Sequence, residues 1–255
     1  MTSHFEPTDS LTGSVAVITG GTGAIGLASA HRLAKLGARC VLLYNSEAPE
    51  SAAAKAAALP GSGHLTFKAQ VTDSASLQAV ADQVAALCGV VHILVNSAGY
   101  TKAVPANDLD ALTDELIDDI LKVNFRGVIA TIRAFMPLLK KSEDGLIVNI
   151  SSIAGFTGTG SNLAYVAAKA SIDVVGDALA KAFAPYVRVI SVSPGVVDST
   201  FVPGRGADFN DKVAPTIPLR RIGTVDDVAA VVQACATTMR YVTGTRIVVD
   251  GGRHL

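Results

Sequence analysis

Short apolar runs alternate with longer amphipathic patterns along nearly all of this 255-residue chain. That alternation restricts it to a mainly parallel sheet joined by helical crossovers. The strand candidates are Val15–Thr19, Cys40–Tyr44, Leu65–Ala69, Val91–Asn96, Leu146–Ile150, Val187–Val192 and Arg246–Asp250. Most are continuously apolar, as a strand must be when helices cover both faces of its sheet. Between the first two, Gly26, Ala30 and Leu33 keep a helical period and Gly37 supplies a stop. Leu109, Leu112, Leu116, Ile120, Val123 and Gly127 form a longer helical stripe. The acids Asp108, Asp110, Asp114, Glu115, Asp118 and Asp119 crowd the start of that stripe, a solvated face suited to a helix N-terminus. Ala52 to Ala58 reads as a helix closed by the turn Pro60-Gly61. One irregular stretch runs from Val196 to about Gly223, with Pro203, Gly204, Gly206, Pro215 and Pro218. A loop of that length in a compact domain is usually functional, and a substrate lid is expected.

The length suits one large α/β domain, with residues 1–10 as a loose N-terminal tail and 11–255 as the domain. Hydrophobic residues make up 49% of the chain and charged residues 17%, below the usual quarter, so there is ample material for a core and for faces buried between subunits. A formal net charge of -1 without any basic block argues against nucleic acid as a partner. Cys40, Cys88 and Cys235 are far apart and read as small buried residues of a reducing compartment. His4, His31, His64, His92 and His254 lack metal-ligand spacing, so no metal site is expected. The opening residues have neither the basic start nor the apolar core of a secretory signal. No apolar stretch approaches the roughly 20 residues of a membrane span, and a cytoplasmic protein without membrane attachment is expected.

Chemistry concentrates in a few segments. Tyr165 and Lys169, four apart on a helix, share one face. An ammonium beside a phenol favours the phenolate, which tunes it to exchange a proton with an oxygen on carbon at neutral pH. Alone this spacing is common; Ser152 raises its meaning, because it follows the run Leu146-Ile147-Val148-Asn149-Ile150 and so sits at a strand's carboxyl end, where open α/β sheets bind ligands. Thr19-Gly20-Gly21-Thr22-Gly23-Ala24-Ile25-Gly26 follows the first strand and opens the first helix, the place for a backbone that turns tightly around a pyrophosphate.

Taken together, these segments resemble the short-chain dehydrogenase/reductase family from about Leu11 to Gly252. Asn96-Ser97-Ala98-Gly99 is similar to the family's Asn-Asn-Ala-Gly segment, Asn124 stands at the Asn of its catalytic tetrad, and Ser193-Pro194-Gly195-Val196-Val197 is similar to its Pro-Gly segment. Thr243-Gly244 and Val249-Asp250-Gly251-Gly252 resemble its closing strand. The resemblance implies a single-domain Rossmann-type doubly wound sheet of seven mainly parallel strands, ordered 3-2-1-4-5-6-7, with helices on both faces. It implies hydride transfer between a nicotinamide and a carbonyl or carbinol carbon. Tyr165 is then the acid/base, Ser152 holds the substrate oxygen, Lys169 tunes Tyr165 and bonds the cofactor ribose, and Asn124 holds a water near Lys169. The cofactor would lie along Gly20, Thr22, Gly23, Ile25 and Gly26, then Tyr44, Asn45 and Ser46, Gln70 and Val71, Asn96, Ala98 and Gly99, Tyr165 and Lys169, and Pro194, Gly195, Val197 and Ser199.

The chain departs from the family pattern at Ala24, where Gly is usual, at Ser97, at Gln70 in place of an Asp, and at Ser199-Thr200 where a Thr is frequent. An acid at the end of the second strand would select NAD(H). Tyr44-Asn45-Ser46 has none before Glu47, which points to NADP(H), with NAD(H) the alternative; no Lys or Arg is evident there to pair with a phosphate. Pro218-Leu219-Arg220-Arg221-Ile222-Gly223-Thr224 resembles the 3-oxoacyl-carrier-protein reductase branch. Glu143-Asp144 and Pro185-Tyr186 stand where those reductases carry basic residues for an acidic carrier, so a small ketone or secondary alcohol is the expected substrate and a 3-oxoacyl carrier-protein or CoA thioester the alternative. Phe201, Val202, Pro203 and Phe209 would either give the lid an apolar face or pack onto the sheet or a neighbouring subunit, and Tyr100 would stand near the pocket or in the core. A non-catalytic nucleotide sensor is the reading from another class; such proteins lose the Tyr or the Lys, and both are present. Dehalogenase relatives carry Arg where Lys169 stands and lack the glycine loop. By analogy the chain assembles as a homotetramer.

Overall fold

The computed structural model describes residues 9–203, 206 and 208–255. Seven strands form one parallel sheet in the order β3-β2-β1-β4-β5-β6-β7. In chain order they are β1 (Val15–Thr19), β2 (Arg39–Tyr44), β3 (Leu65–Lys68), β4 (Ile93–Asn96), β5 (Gly145–Ile150), β6 (Val187–Pro194) and β7 (Thr245–Val249). The helices are α1 (Ala24–Lys35), α2 (Pro49–Ala57), α3 (Ser74–Cys88), α4 (Asp114–Leu121), α5 (Gly127–Lys140), α6 (Ala154–Thr157), α7 (Leu163–Phe183), α8 (Phe209–Val213) and α9 (Val225–Ala236).

Strand alternation divides the core between two faces. Val15 and Val17 of β1 join Leu77, Phe135, Leu139 and Ile172 on the face covered by α3, α5 and α7. Ala16 and Ile18 of the same strand join Leu33, Val228 and Val232 on the face covered by α1 and α9. Both sets are buried, which is the physical origin of the unbroken apolar run. Arg32 of α1 ties the second face together through Asp226 at 2.6 Å and Gln233 at 3.0 Å.

Several boundaries differ from those expected. The strand proposed from Val91 pairs only from Ile93, although Val91 is buried, and β7 ends at Val249 because Gly251 and Gly252 turn the chain at positive φ. The helix expected from Leu109 begins at Asp114, where the Thr113 hydroxyl accepts from the Leu116 amide, and Leu109 is exposed. The later residues of the stripe are helical but interrupted, since Lys122–Arg126 forms a π-helical turn between α4 and α5. The stretch from Val196 to Gly223 is not wholly irregular; it holds α8 and a 3-10 turn at Ala214–Thr216. Gly204 and the tail over residues 1–8 lie outside the described residues. Among the described residues, no helix is long and apolar enough to cross a membrane.

Candidate active site

The sheet order reverses between β1 and β4, and their carboxyl ends open one crevice. At that switch point the Thr19 hydroxyl accepts from the amides of Ser97 at 3.1 Å and Ala98 at 3.2 Å, fixing the segment after β4 against the segment after β1. Asn96 is buried and donates to Asn149 Oδ1 at 2.9 Å, linking β4 to β5; its own Oδ1 is buried without a hydrogen-bond partner among the described residues.

The glycine loop is built by close approach. Gly20 adopts φ 60, and a Cβ on Gly26 would lie 2.3 Å from the Gly20 carbonyl oxygen. No larger residue lets α1 start where the loop ends. The first turn of α1 has no acid and Gly23 offers no side-chain cap, so no side chain of the helix itself competes for its amide end. Ala24 and Gly23 are exposed, while Gly26 is buried. These features fit the pyrophosphate of a dinucleotide.

Ser152 lies two residues past β5, half-buried, and its hydroxyl accepts from the Ala154 amide at 3.1 Å, opening α6. Gly155 lets this turn press on α7, since a Cβ there would come within 2.8 Å of the Ala170 amide nitrogen. Tyr165 lies in the first turn of α7, started by Asn162, whose Oδ1 accepts from the Tyr165 amide at 2.8 Å. Lys169 is 5% exposed and Tyr165 9%. The amine stands 5.5 Å from the centre of the Tyr165 ring and donates to the Ile150 carbonyl at 2.7 Å. Burial pushes the Lys169 amine down to about 8, against the opposing charge of Asp173.

Asn124 sits inside the π-turn, fully buried. Such turns recur at functional sites because the extra residue re-aims a side chain. Its amide donates to the Tyr100 carbonyl at 2.7 Å and the Ile120 carbonyl at 2.9 Å, and its Oδ1 accepts from the Tyr100 amide at 3.3 Å. Both amide hydrogens are thus committed to backbone, so Asn124 pins the chain after Gly99. Phe201 from the long loop tilts over Tyr165 with ring centres 6.1 Å apart, and Tyr100 is half-exposed.

The remaining candidates lie at or just past the carboxyl ends of β2, β3 and β6. Pro194 closes β6, the Gly195 amide donates to the Val249 carbonyl at 3.0 Å, Val197 is buried and bridges to Gly223, and Ser199 is half-buried. Val71 packs at Gly127, beside Thr19, Asn96 and Ala98. Gln70 is exposed and its amide turns to the Thr72 hydroxyl at 2.9 Å. Tyr44 is buried, whereas Asn45 and Ser46 are exposed.

Two features escaped sequence reasoning. Lys55 of α2 donates to the Thr22 carbonyl of the glycine loop at 3.1 Å and pairs with Glu47 at 2.7 Å, and Ser51 also hydrogen-bonds Glu47. Lys55 holds the Glu47 carboxyl down to about 2. A cation therefore does stand beside the loop, but from the next helix; the only signal was a Glu before a short helix and a Lys in its last turn. The second is location: Glu143-Asp144 precedes β5 and Ser152 follows it, so the whole strand, about 20 Å at roughly 3.3 Å per residue, lies between them. Asp144 there pairs with Arg188 and Arg240. Within one chain those residues are not the rim of the pocket. Among the described residues, no group of three His, Cys, Asp or Glu side chains is placed to hold a metal ion. Burial pushes the Cys40 thiol up to about 12, in keeping with a core residue.

A dinucleotide-binding sheet with a phenol, an amine and a hydroxyl at its carboxyl edge defines a class of α/β oxidoreductases. A family model described as Enoyl-(Acyl carrier protein) reductase matches residues 20–254. The granaticin polyketide synthase putative ketoacyl reductase 2 of Streptomyces violaceoruber is 36% identical over 252 residues, covering 97% of this chain and 99% of that one. The 3-oxoacyl-acyl-carrier-protein reductase FabG of Escherichia coli K12 is 31% identical over 245 residues, covering 95% and 98%. Among solved structures, a short-chain dehydrogenase/reductase (glucose/ribitol dehydrogenase) from Brucella melitensis superposes with a TM-score of 0.89 at 29% identity, over 96% of this chain and 98% of that one. The chain belongs to the short-chain dehydrogenase/reductase family. Members of this family bind NAD(P)(H) and act on CH–OH and C=O groups.

Proposed function

We propose that this protein interconverts a small ketone and its secondary alcohol, with Tyr165 as the acid/base. The observation that carries the reading is the buried Lys169 amine 5.5 Å from the Tyr165 ring, at the end of the strand that leads into Ser152. A bound nicotinamide supplies or accepts the hydride. The Ser152 hydroxyl orients the substrate oxygen, the Tyr165 hydroxyl gives it a proton during reduction, and the Lys169 ammonium stabilises the phenolate left behind. Asn124 contributes by clamping Tyr100, a wall of the pocket; a solvent link to Lys169 would run through groups other than its amide hydrogens.

Phe201 leaning over Tyr165 favours an apolar, compact substrate. The similarity to two ketoacyl reductases supports a second reading, a carrier-bound or CoA-bound 3-oxoacyl thioester. Steady-state rates on free ketones and on a carrier-bound oxoacyl thioester decide between them. Turnover of free ketones at comparable or higher kcat/KM is expected; a thioester far better than any ketone would replace our reading with the second.

For the cofactor we favour NADP(H). Tyr44 leaves no acid at the end of β2, and Lys55 stands at the loop with Glu47 as its counter-ion, a partner that a 2′-phosphate can displace. Lys55→Ala is expected to weaken NADPH binding about tenfold while leaving NADH within about twofold, as for loss of one charge-assisted hydrogen bond. Fluorescence titration of both cofactors measures this, and tighter binding of NADH by the wild-type protein would refute the preference.

The same reading places the protein in the cytoplasm as a homotetramer. Exposed Val174 on α7, at 70%, and the exposed start of the edge strand β7 are the faces it would cover. A monomer by light scattering would contradict that assembly.

A further inference from the structure

A buried acid lies one turn beyond Lys169, and no step proposed above uses it. Asp173 is 5% exposed, as is Lys169, and at i,i+4 the two share a face of α7. Its Oδ2 accepts from Arg246 of β7 at 3.3 Å, and its Oδ1 is buried without a hydrogen-bond partner among the described residues. Arg246 is held in turn by Phe156, with its guanidinium 5.0 Å from the ring centre, and Phe156 meets His254 edge-on at 5.8 Å.

A carboxylate with one oxygen buried and unpartnered is costly unless its charge serves a neighbour. Lys169 has the complementary need, a cation withdrawn from water beside a neutral carbonyl. The charged groups described around Asp173 are Lys169 and the exposed Asp177 on α7 and Arg246 from β7, with the Asp250–His254 pair at 2.8 Å behind Phe156. We propose that Asp173 is a positioning residue, anchored from β7 by Arg246, whose negative charge keeps the buried Lys169 amine protonated beneath Tyr165. The proposal rests on the oxidoreductase reading only for its kinetic consequence. A simple clamp between α7 and β7 would hold the same atoms together without acting on the amine.

The two roles separate on titration. Burial lowers the amine and Asp173 raises it. Removing the acid must therefore move protonation of Lys169 to lower pH, by about one unit for a partner at one helical turn. Asp173→Asn keeps the shape and is compared with the wild type and with Arg246→Gln. Lysine-nitrogen NMR reads the Lys169 titration directly, and the fall of ketone-reduction kcat with rising pH reads its consequence. The expected result is a downward shift of both in Asp173→Asn and a smaller upward or null shift in Arg246→Gln, whose loss leaves the acid's charge with Lys169 alone, with restoration in Asp173→Glu. An unchanged Lys169 titration in folded Asp173→Asn would overturn the proposal. If Asp173→Asn alone fails to fold, the double variant Asp173→Asn/Arg246→Gln, which removes both charges of the pair, is titrated instead, and an unchanged Lys169 titration there overturns the proposal. The NMR arm stands even if no ketone is turned over, which keeps this failure distinct from failure of the proposed activity.

Discussion

Tyr165→Phe will lower ketone reduction by about a thousandfold and leave cofactor affinity within about twofold of wild type. The size follows from removing a positioned general acid, typically worth a factor of 10²–10⁴. The phenyl ring that remains still fills the space under Phe201 and beside Lys169, so the packing of α7 is kept. Loss confined to kcat is the signature of an interaction made in the transition state. Steady-state kinetics with a fluorescence titration of the cofactor measure both quantities. Activity near that of wild type would remove Tyr165 from the acid/base role.

The second large effect is at the other end of the crevice. Gly26→Ala will reduce affinity for NADPH and NADH alike by more than about tenfold and lower Tm by about 5 °C. A methyl group there would lie 2.3 Å from the Gly20 carbonyl oxygen, and the obstacle is backbone, which cannot turn aside as a side chain does. Overpacking of this kind costs about 1–3 kcal/mol, which in a chain of this size is several degrees of Tm. The loop must also shift to admit the methyl, and it shifts where the pyrophosphate would be bound. Calorimetric melting and cofactor titration test the two parts together; unchanged Tm and unchanged affinity would show that the loop is less tightly determined than its contacts indicate.

The sheet was legible because each strand is buried on both faces and therefore apolar without a break. β1 and β5 could be placed to within a residue. Strand ends were harder: Val91 is apolar and buried like its neighbours, and only the ladder distinguishes it from Ile93. The π-turn at Asn124 was not legible, because inserting one residue in a helix leaves the apolar stripe nearly intact. Tyr165, Lys169, Ser152 and the glycine loop announced themselves by spacing, since local geometry fixes their relations. Lys55 and Asp173 did not, because their meaning depends on partners in other elements: Thr22 and Glu47 for the first, and Arg246 for the second. The charge of Glu143-Asp144 before β5 was legible as composition but not as position, and the topology puts it a strand's length from Ser152.

The central claim is that this site moves a hydride between a nicotinamide and a ketone carbon, with Tyr165 supplying the proton. Incubation with NADPH deuterated at the nicotinamide C4 and a panel of small ketones, followed by mass analysis of the alcohols, tests it most directly. The account predicts an alcohol carrying one deuterium on the carbinol carbon from the wild-type protein and none above background from Tyr165→Phe. Unlabelled alcohol, or equal labelling by the two proteins, would contradict it.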